Sequence, residues 1–262
     1  MPAALAGCYV ISLRPVGAHA AMRRAAARHG ARVLALSPWR LSGHDDTATR
    51  RALRAALAAP RVVFTSPAAV RHARAAPAVH ARRGQVWCAV GAGTAAALHR
   101  AGVAGVVAPT RMDSEGLLAL PALAAVRGTR VGLVTAPGGR DRIAPALHAR
   151  GADVLRADVY ERIATFPAPR ALAALRTLRG PAWLALSSGE ALQLLLAALP
   201  DDARARLARA CVVAASPRLA QAARDAGFDV GAVADNAQPA AMLAAAAQAQ
   251  AAQRPRRRRA RA

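Results

Sequence analysis

The 262-residue sequence predicts an α/β protein made of two similar parallel-sheet domains. Three observations predict it. Short β-rich runs alternate with Ala/Leu/Arg segments of helical pattern, the order of elements found in parallel α/β folds. Most of those runs are apolar along their whole length, as strands are when helices cover both faces of their sheet. The second half of the chain also repeats the plan of the first.

In chain order, strands are predicted at 8–13 (CYVISL), 31–36 (ARVLAL), 61–65 (RVVFT), 85–90 (QVWCAV) and 105–109 (GVVAP). Five more follow at 130–135 (RVGLVT), 152–160 (ADVLRADVY), 182–186 (AWLAL), 211–215 (CVVAA) and 229–234 (DVGAVA). Helices are predicted between them at 18–29, 46–58, 94–101, 141–150, 170–178, 189–199 and 218–226, where Ala, Leu and Arg, all strong helix formers, dominate. Asp45-Asp46 stands where a cap is needed for the helix that begins at Thr47.

The repeat is specific in its register. Residues 10–39 lie over 131–160 without a gap at an offset of 121, so Gly30 falls on Gly151, Val33 on Val154 and Trp39 on Tyr160. Residues 88–102 correspond to 213–227, and 105–124 to 230–247. The stretches VVFTSPAAVRHA and WLALSSGEALQLLL share one plan: an apolar strand, a hydroxyl pair (Thr65-Ser66, Ser187-Ser188) and a helix. Duplication predicts two facing domains with a cleft between them, and ligands of parallel sheets bind beyond the carboxyl ends of strands. Both hydroxyl pairs sit at such ends.

Composition narrows the chemistry. The sequence is 55% hydrophobic with only 3% aromatics, so Ala, Val and Leu fill its cores. Cys8, Cys88 and Cys211 each lie in or beside an apolar run, without zinc or disulfide spacing, and read as buried thiols of a reducing cytosol. No secretory signal or membrane-length apolar run is visible, so a soluble, cytoplasmic protein is expected. The net charge is +23 and all 37 basic residues are arginine, which excludes Schiff-base, pyridoxal-phosphate and P-loop lysine chemistry. Setting aside the six arginines of the tail RPRRRRARA, expected to be disordered, still leaves +17. Such a surface favours anionic partners: nucleic acid, phosphorylated metabolites or polycarboxylates.

Three kinds of motif compete for function. GAGTAA (91–96) follows a strand, opens a helix and has Asp113 twenty residues past Gly93, the pattern of a dinucleotide site. Against that, Asp113 or Ser114 reads as a helix cap. TAPGGRDR (135–142) is a Gly-Gly turn with Arg140 in the first helical turn, either a tight connection or an anion site; Arg14 stands in the aligned loop. Ser66, Thr94, Ser187, Ser188 and Ser216 all fit helix N-caps, a role compatible with binding an anion on the same amides. No nucleophile elbow appears, and the seven histidines, without metal spacing, read as solvated surface residues.

Taken together, LRPVGAH, VVFTSPAAVRHA, CAVGAGTAAALHRAGV, MDSEGLLAL, GGRDRIAPALHARGADVLRADVYER, LALSSGEALQLLL and SPRLAQAARDAGFDV resemble the uroporphyrinogen-III synthase family, in the family's order, across about residues 8–247. The resemblance implies two α/β domains joined by a two-stranded linker, the chain crossing twice. Residues 1–37 plus 168–250 would form one domain and 46–156 the other, with linkers at 38–45 and 157–167 and a tail at 251–262. The domains would rock about that hinge. It also implies a cytoplasmic monomer that converts hydroxymethylbilane, a linear polycarboxylate tetrapyrrole, into uroporphyrinogen III. The reaction loses water, closes the ring and inverts the last pyrrole through a spiro intermediate, with no metal or organic cofactor.

Carried over residue by residue, the resemblance makes Tyr160 the catalytic proton donor. It makes Ser66, Thr94, Ser188 and Ser216 substrate-binding positions, largely through main-chain amides; the strand-end turns and hydroxyl pairs add Arg14, Gly93, Gly139, Arg140 and Ser187. The chain departs from the family pattern at Ser12-Leu13-Arg14-Pro15 and at AASPR (214–218). A non-catalytic anion- or nucleic-acid-binding two-domain protein is the alternative. Eight aromatics leave little surface for base stacking, so nucleic acid is expected only as a non-specific ligand of the tail, and no membrane partner is expected.

Overall fold

The computed structural model describes residues 4–74, 79–138 and 142–259. In chain order the elements begin with β1 (Tyr9–Ser12), α1 (Ala20–Arg28), β2 (Arg32–Ala35), β3 (Trp39–Gly43), α2 (Thr47–Leu57), β4 (Arg61–Phe64) and α3 (Pro67–Ala73). Next come β5 (Val86–Ala89), α4 (Ala92–Arg100), α5 (Ser114–Leu118), β6 (Arg130–Thr135), α6 (Ile143–Ala149), β7 (Asp153–Asp158) and β8 (Tyr160–Ala164). The chain ends with α7 (Pro169–Arg176), β9 (Ala182–Leu186), α8 (Gly189–Ala198), α9 (Asp201–Ala208), β10 (Cys211–Ala214), α10 (Pro217–Asp225), β11 (Val230–Val233) and α11 (Pro239–Arg259). Two compact units result: Met1–Arg40 with Ile163–Ala262, and Leu41–Arg162.

The first unit holds a five-stranded sheet in the order β11-β10-β9-β1-β2, the second a four-stranded sheet in the order β5-β4-β6-β7. Every pairing in both is parallel. The repeat accounts for the matching orders: β10, β9, β1 and β2 correspond to β5, β4, β6 and β7. Each sheet therefore joins the leading half of one repeat to the trailing half of the other. The two passages between units run through β3 and β8, which pair as a two-stranded sheet and begin 121 residues apart, at Trp39 and Tyr160.

Local chemistry explains the element ends. Asp46 accepts the Thr49 amide at 2.8 Å and starts α2; Asp113 does the same for Gly116 and starts α5. Gly30 and Gly151, aligned in the repeat, follow α1 and α6 with φ of 73° and 79°, the left-handed conformation that ends a helix at little cost only for glycine. In the second unit, the period-2 alternation of the strands sorts the core. Val62, Phe64, Trp87 and Val134 fill one face, with Phe64 and Trp87 stacked at 5.6 Å; Val63, Cys88, Val131 and Leu133 fill the other. A Cβ on Gly132 would collide with the Ala56 carbonyl, so glycine lets α2 lie directly on β6.

Three expectations need correction. Residues 105–109 make a single bridge, Val107 to Cys88, at the position β11 takes in the other unit; Pro109 lacks the N–H needed to extend it. The strand expected at 152–160 breaks at Val159, whose amide donates to the Thr135 carbonyl at 3.0 Å before β8 leads away. α11 continues to Arg259, into the stretch expected to be disordered; its alanines, glutamines and arginines have high helix propensity. No helix among the described residues is long and apolar enough to cross a membrane.

Candidate functional site

The second unit gathers hydroxyls at the carboxyl ends of β4 and β6. These strands are neighbours in register, so the residues that follow them meet: Thr65 Oγ1 and Thr135 Oγ1 lie 2.7 Å apart, and the Thr65 amide donates to the Val134 carbonyl. Ser66 then caps α3, accepting the Ala69 amide at 2.9 Å, with Pro67 preset for the first helical position. Because Val159 crosses the end of β6, Tyr160 arrives over the same edge. Its hydroxyl lies 3.0 Å from Ser66 Oγ, and its ring is 3% exposed within the unit's core. His72, in the last turn of α3, stacks on that ring with centroids 5.3 Å apart.

Two hydroxyls joined by one hydrogen bond always keep a proton to spare. If the phenol donates to Ser66, the serine O–H is left to donate onward; if Ser66 donates, the phenol is. His44 flanks this group, with Nδ1 3.2 Å from the Asp158 carbonyl and Nε2 3.7 Å from Glu161 Oε1. Burial, the Arg71 guanidinium and His44 hold the His72 imidazole below the ordinary histidine value of 6.5. These surroundings favour the neutral ring.

The first unit builds a comparable edge from its own strands. Ser188 accepts the Ala191 amide at 3.3 Å and starts α8; Ser216 accepts the Leu219 amide at 3.4 Å and starts α10. Arg14 leaves the end of β1 and donates from Nη2 to the Ala237 carbonyl at 3.1 Å, while its buried Nε finds no partner among the described residues. Burial lowers its pKa from the ordinary arginine value. Ser187 is exposed and caps nothing.

Two further readings of single residues change. Thr94 is not a cap: Gly91 precedes α4, and Thr94 lies in its first turn, 2% exposed. Gly93, beside it, is exposed. His19 is not a solvated surface residue but 3% exposed, with Nδ1 3.0 Å from Ser12 Oγ and Nε2 2.8 Å from Ser37 Oγ. The dinucleotide alternative loses its geometry as well. Asp113 is occupied as a cap, and a Cβ on Gly91 would lie 3.0 Å from Met112 Cβ, so that backbone is already covered. Gly139 and Arg140 lie outside the described residues.

Sequence reasoning missed Thr135 and His72. Thr135 aligns with Arg14 at the 121-residue offset, a signal that was present. Nothing in the pattern of α3 marks His72. Among the described residues no group of three or more His, Cys, Asp or Glu is placed to hold a metal ion.

Two α/β units with exchanged halves, each bearing hydroxyls and helix starts at the carboxyl ends of parallel strands, define a two-unit α/β protein with strand-end polar sites. A family model described as uroporphyrinogen-III synthase HemD matches residues 20–244, and the chain belongs to the uroporphyrinogen-III synthase family. It is 37% identical over 161 residues to the uroporphyrinogen-III synthase of Salmonella typhimurium (strain LT2), and 36% identical over 161 residues to that of Escherichia coli (strain K12). Each match covers 61% of this chain and 65% of the relative's length, just under two thirds. The fold resembles a mutant uroporphyrinogen III synthase from the extremely thermophilic bacterium Thermus thermophilus, with TM-score 0.59, 20% identity and coverage of 93% of this chain and 98% of that one. It also resembles a uroporphyrinogen-III synthetase from Helicobacter pylori 26695, with TM-score 0.53, 11% identity and coverage of 92% and 98%.

Proposed function

We propose that this chain is a uroporphyrinogen-III synthase, closing hydroxymethylbilane to uroporphyrinogen III with loss of water and inversion of the last pyrrole. The observation that carries the reading is the Ser66–Tyr160 hydroxyl pair, 3.0 Å apart at the end of β4 in a chain of this family. The spare proton of the pair goes to the departing hydroxyl, which leaves as water. Ring closure at the terminal pyrrole releases one proton, which returns to the pair. One proton is given and one regained, so no base is consumed and the net change is loss of water.

The remaining task is restraint. The intermediate is a reactive cation that must be held in one shape while a ring inverts, which is catalysis by positioning. The substrate's acetates and propionates match a protein of net charge +23 whose basic groups are all arginine. Ser66, Ser188 and Ser216 set the helix starts of α3, α8 and α10, and Arg14 stands at the end of β1 with a buried N–H that has no partner among the described residues. A buried guanidinium donor without an acceptor costs stability unless a ligand completes it, and a carboxylate does so well. Gly93, Thr94, Gly139, Arg140 and Ser187 are secondary candidates for main-chain contacts. The protein acts as a monomer in the cytoplasm on this reading.

Tyr160→Phe and Ser66→Ala test it in an assay that resolves isomer III from isomer I. Loss of isomer III in Tyr160→Phe, with a smaller loss in Ser66→Ala, supports the hydroxyl pair. Wild-type formation of isomer III in both variants rules it out.

A further inference from the structure

We propose that His72 is a positioning residue for Tyr160, holding the phenol so that its hydroxyl stays directed at Ser66. The inference deepens the functional reading above and rests on it for the reaction, though not for the geometry. Tyr160 is gripped at two points by one helix. The N-cap of α3, Ser66, meets the phenol oxygen at 3.0 Å; the last turn of α3 places His72 against the ring face, 5.3 Å between centroids and 22° between planes. Core packing confines the ring, and the His72 stack adds a flat contact on the ring face from the same helix that meets its hydroxyl.

His72 is itself held from behind. A Cβ on Gly43 would lie 2.6 Å from its Nδ1 and 3.2 Å from its Cε1, so only the absence of a side chain there leaves room for the imidazole at the end of β3. Gly43 supplies space here rather than a special conformation. The imidazole therefore packs near the β3 backbone as well as on the Tyr160 ring, and a side chain at position 43 would have to displace it. The charged and titratable groups around it are Arg71 on its own helix, and His44 after β3, itself facing Glu161 on β8. Burial, Arg71 and His44 favour a neutral imidazole, which acts as a flat ring.

Because displacement of a reacting group by about 1 Å costs on the order of a hundredfold in rate, the ring contact should register in kcat rather than KM. The test uses the full chain carrying His72→Ala, His72→Leu, His72→Phe or Gly43→Ala, assayed for isomer III formation. His72→Ala and His72→Leu should lose about tenfold or more in kcat with KM within about twofold, and His72→Phe should recover most of it. Wild-type kcat in His72→Ala or His72→Leu overturns the proposal. So does a His72→Phe enzyme as impaired as His72→Leu, since a ring face would then not be what matters.

A second readout is independent of activity. The chain has two tyrosines, Tyr9 and Tyr160, so ring-labelled tyrosine NMR in a Tyr9→Phe background reports Tyr160 alone. Cross-relaxation between the Tyr160 ring protons beside the hydroxyl and the Ser66 β-protons in the parent, weakened in His72→Leu and kept in His72→Phe, supports the clamp. Cross-relaxation of equal strength in the parent and His72→Leu overturns it. If the parent makes no isomer III, the functional reading falls while the ring signals still decide the role of His72.

Discussion

Tyr160 and Ser66 share one hydrogen bond and one shell of core, yet their loss should be felt very differently by stability and by catalysis. Tyr160→Phe keeps the ring, its packing against the core and the His72 stack; it removes one hydrogen bond, a cost of about 1 kcal/mol. If the pair supplies the leaving-group proton, turnover should fall by about a hundredfold or more. Unchanged turnover in a folded Tyr160→Phe protein excludes the donor role. His19 makes a separate prediction. Burial first, then Arg23 and Arg14, lower its pKa from 6.5, so on acidification the unfolded chain takes up a proton before the folded one does. The stability His19 contributes is complete above pH 6.5 and declines as pH falls through that value toward the lowered one. Urea midpoints should therefore drop between about pH 7 and pH 5, and the drop should be shallower in His19→Asn; equal slopes contradict the assignment. The caps at Asp46, Ser66, Asp113, Ser188 and Ser216 were legible from residue type and position alone. The burial of His19 was not, because its partners Ser12 and Ser37 lie on two different strand ends that only the β1–β2 pairing brings together.

At the scale of elements, the recurring unit is a strand, a capping hydroxyl and a helix. Ser216→Ala removes the cap of α10 and should cost about 1 kcal/mol, read as a shift of the urea midpoint with unchanged slope; no shift would show that Pro217 alone sets the helix start. Gly132→Ala tests the contact between α2 and β6. The added methyl must displace the Ala56 backbone, and a loss of about 1–3 kcal/mol is expected; a variant as stable as the parent would mean that the helix is free to lift. Most strands and helices could be placed from apolar runs and helix formers. The exceptions have local causes. Pro109 limits one strand to a bridge, and another ends at its last rung, Val159 to Thr135, where Tyr160 leaves the sheet. That ending decides the site, and hydropathy gives no sign of it because Ala157, Val159 and Tyr160 are all buried.

In the whole molecule, the repeat shows that two similar sheets form, but not which halves pair. An offset of 121 residues fits two consecutive domains as well as two with exchanged halves, and only the resemblance to a known family favoured the exchange seen in the strand orders. The charge is a second whole-molecule property. With a net +23, the protein should bind nucleic acid without sequence preference at low salt, more weakly as salt rises. Deleting residues 254–262 should weaken that binding sharply and leave isomer III formation unchanged; a matching loss of both would tie the arginine stretch to substrate. The most direct measurement supplies the purified full chain with freshly prepared hydroxymethylbilane and separates the oxidised porphyrin products by isomer. Unassisted closure gives isomer I, so the ratio of isomers reads the protein itself. A predominance of isomer III is the predicted result; isomer I alone, at the rate seen without protein and from a folded sample, would contradict the assigned activity.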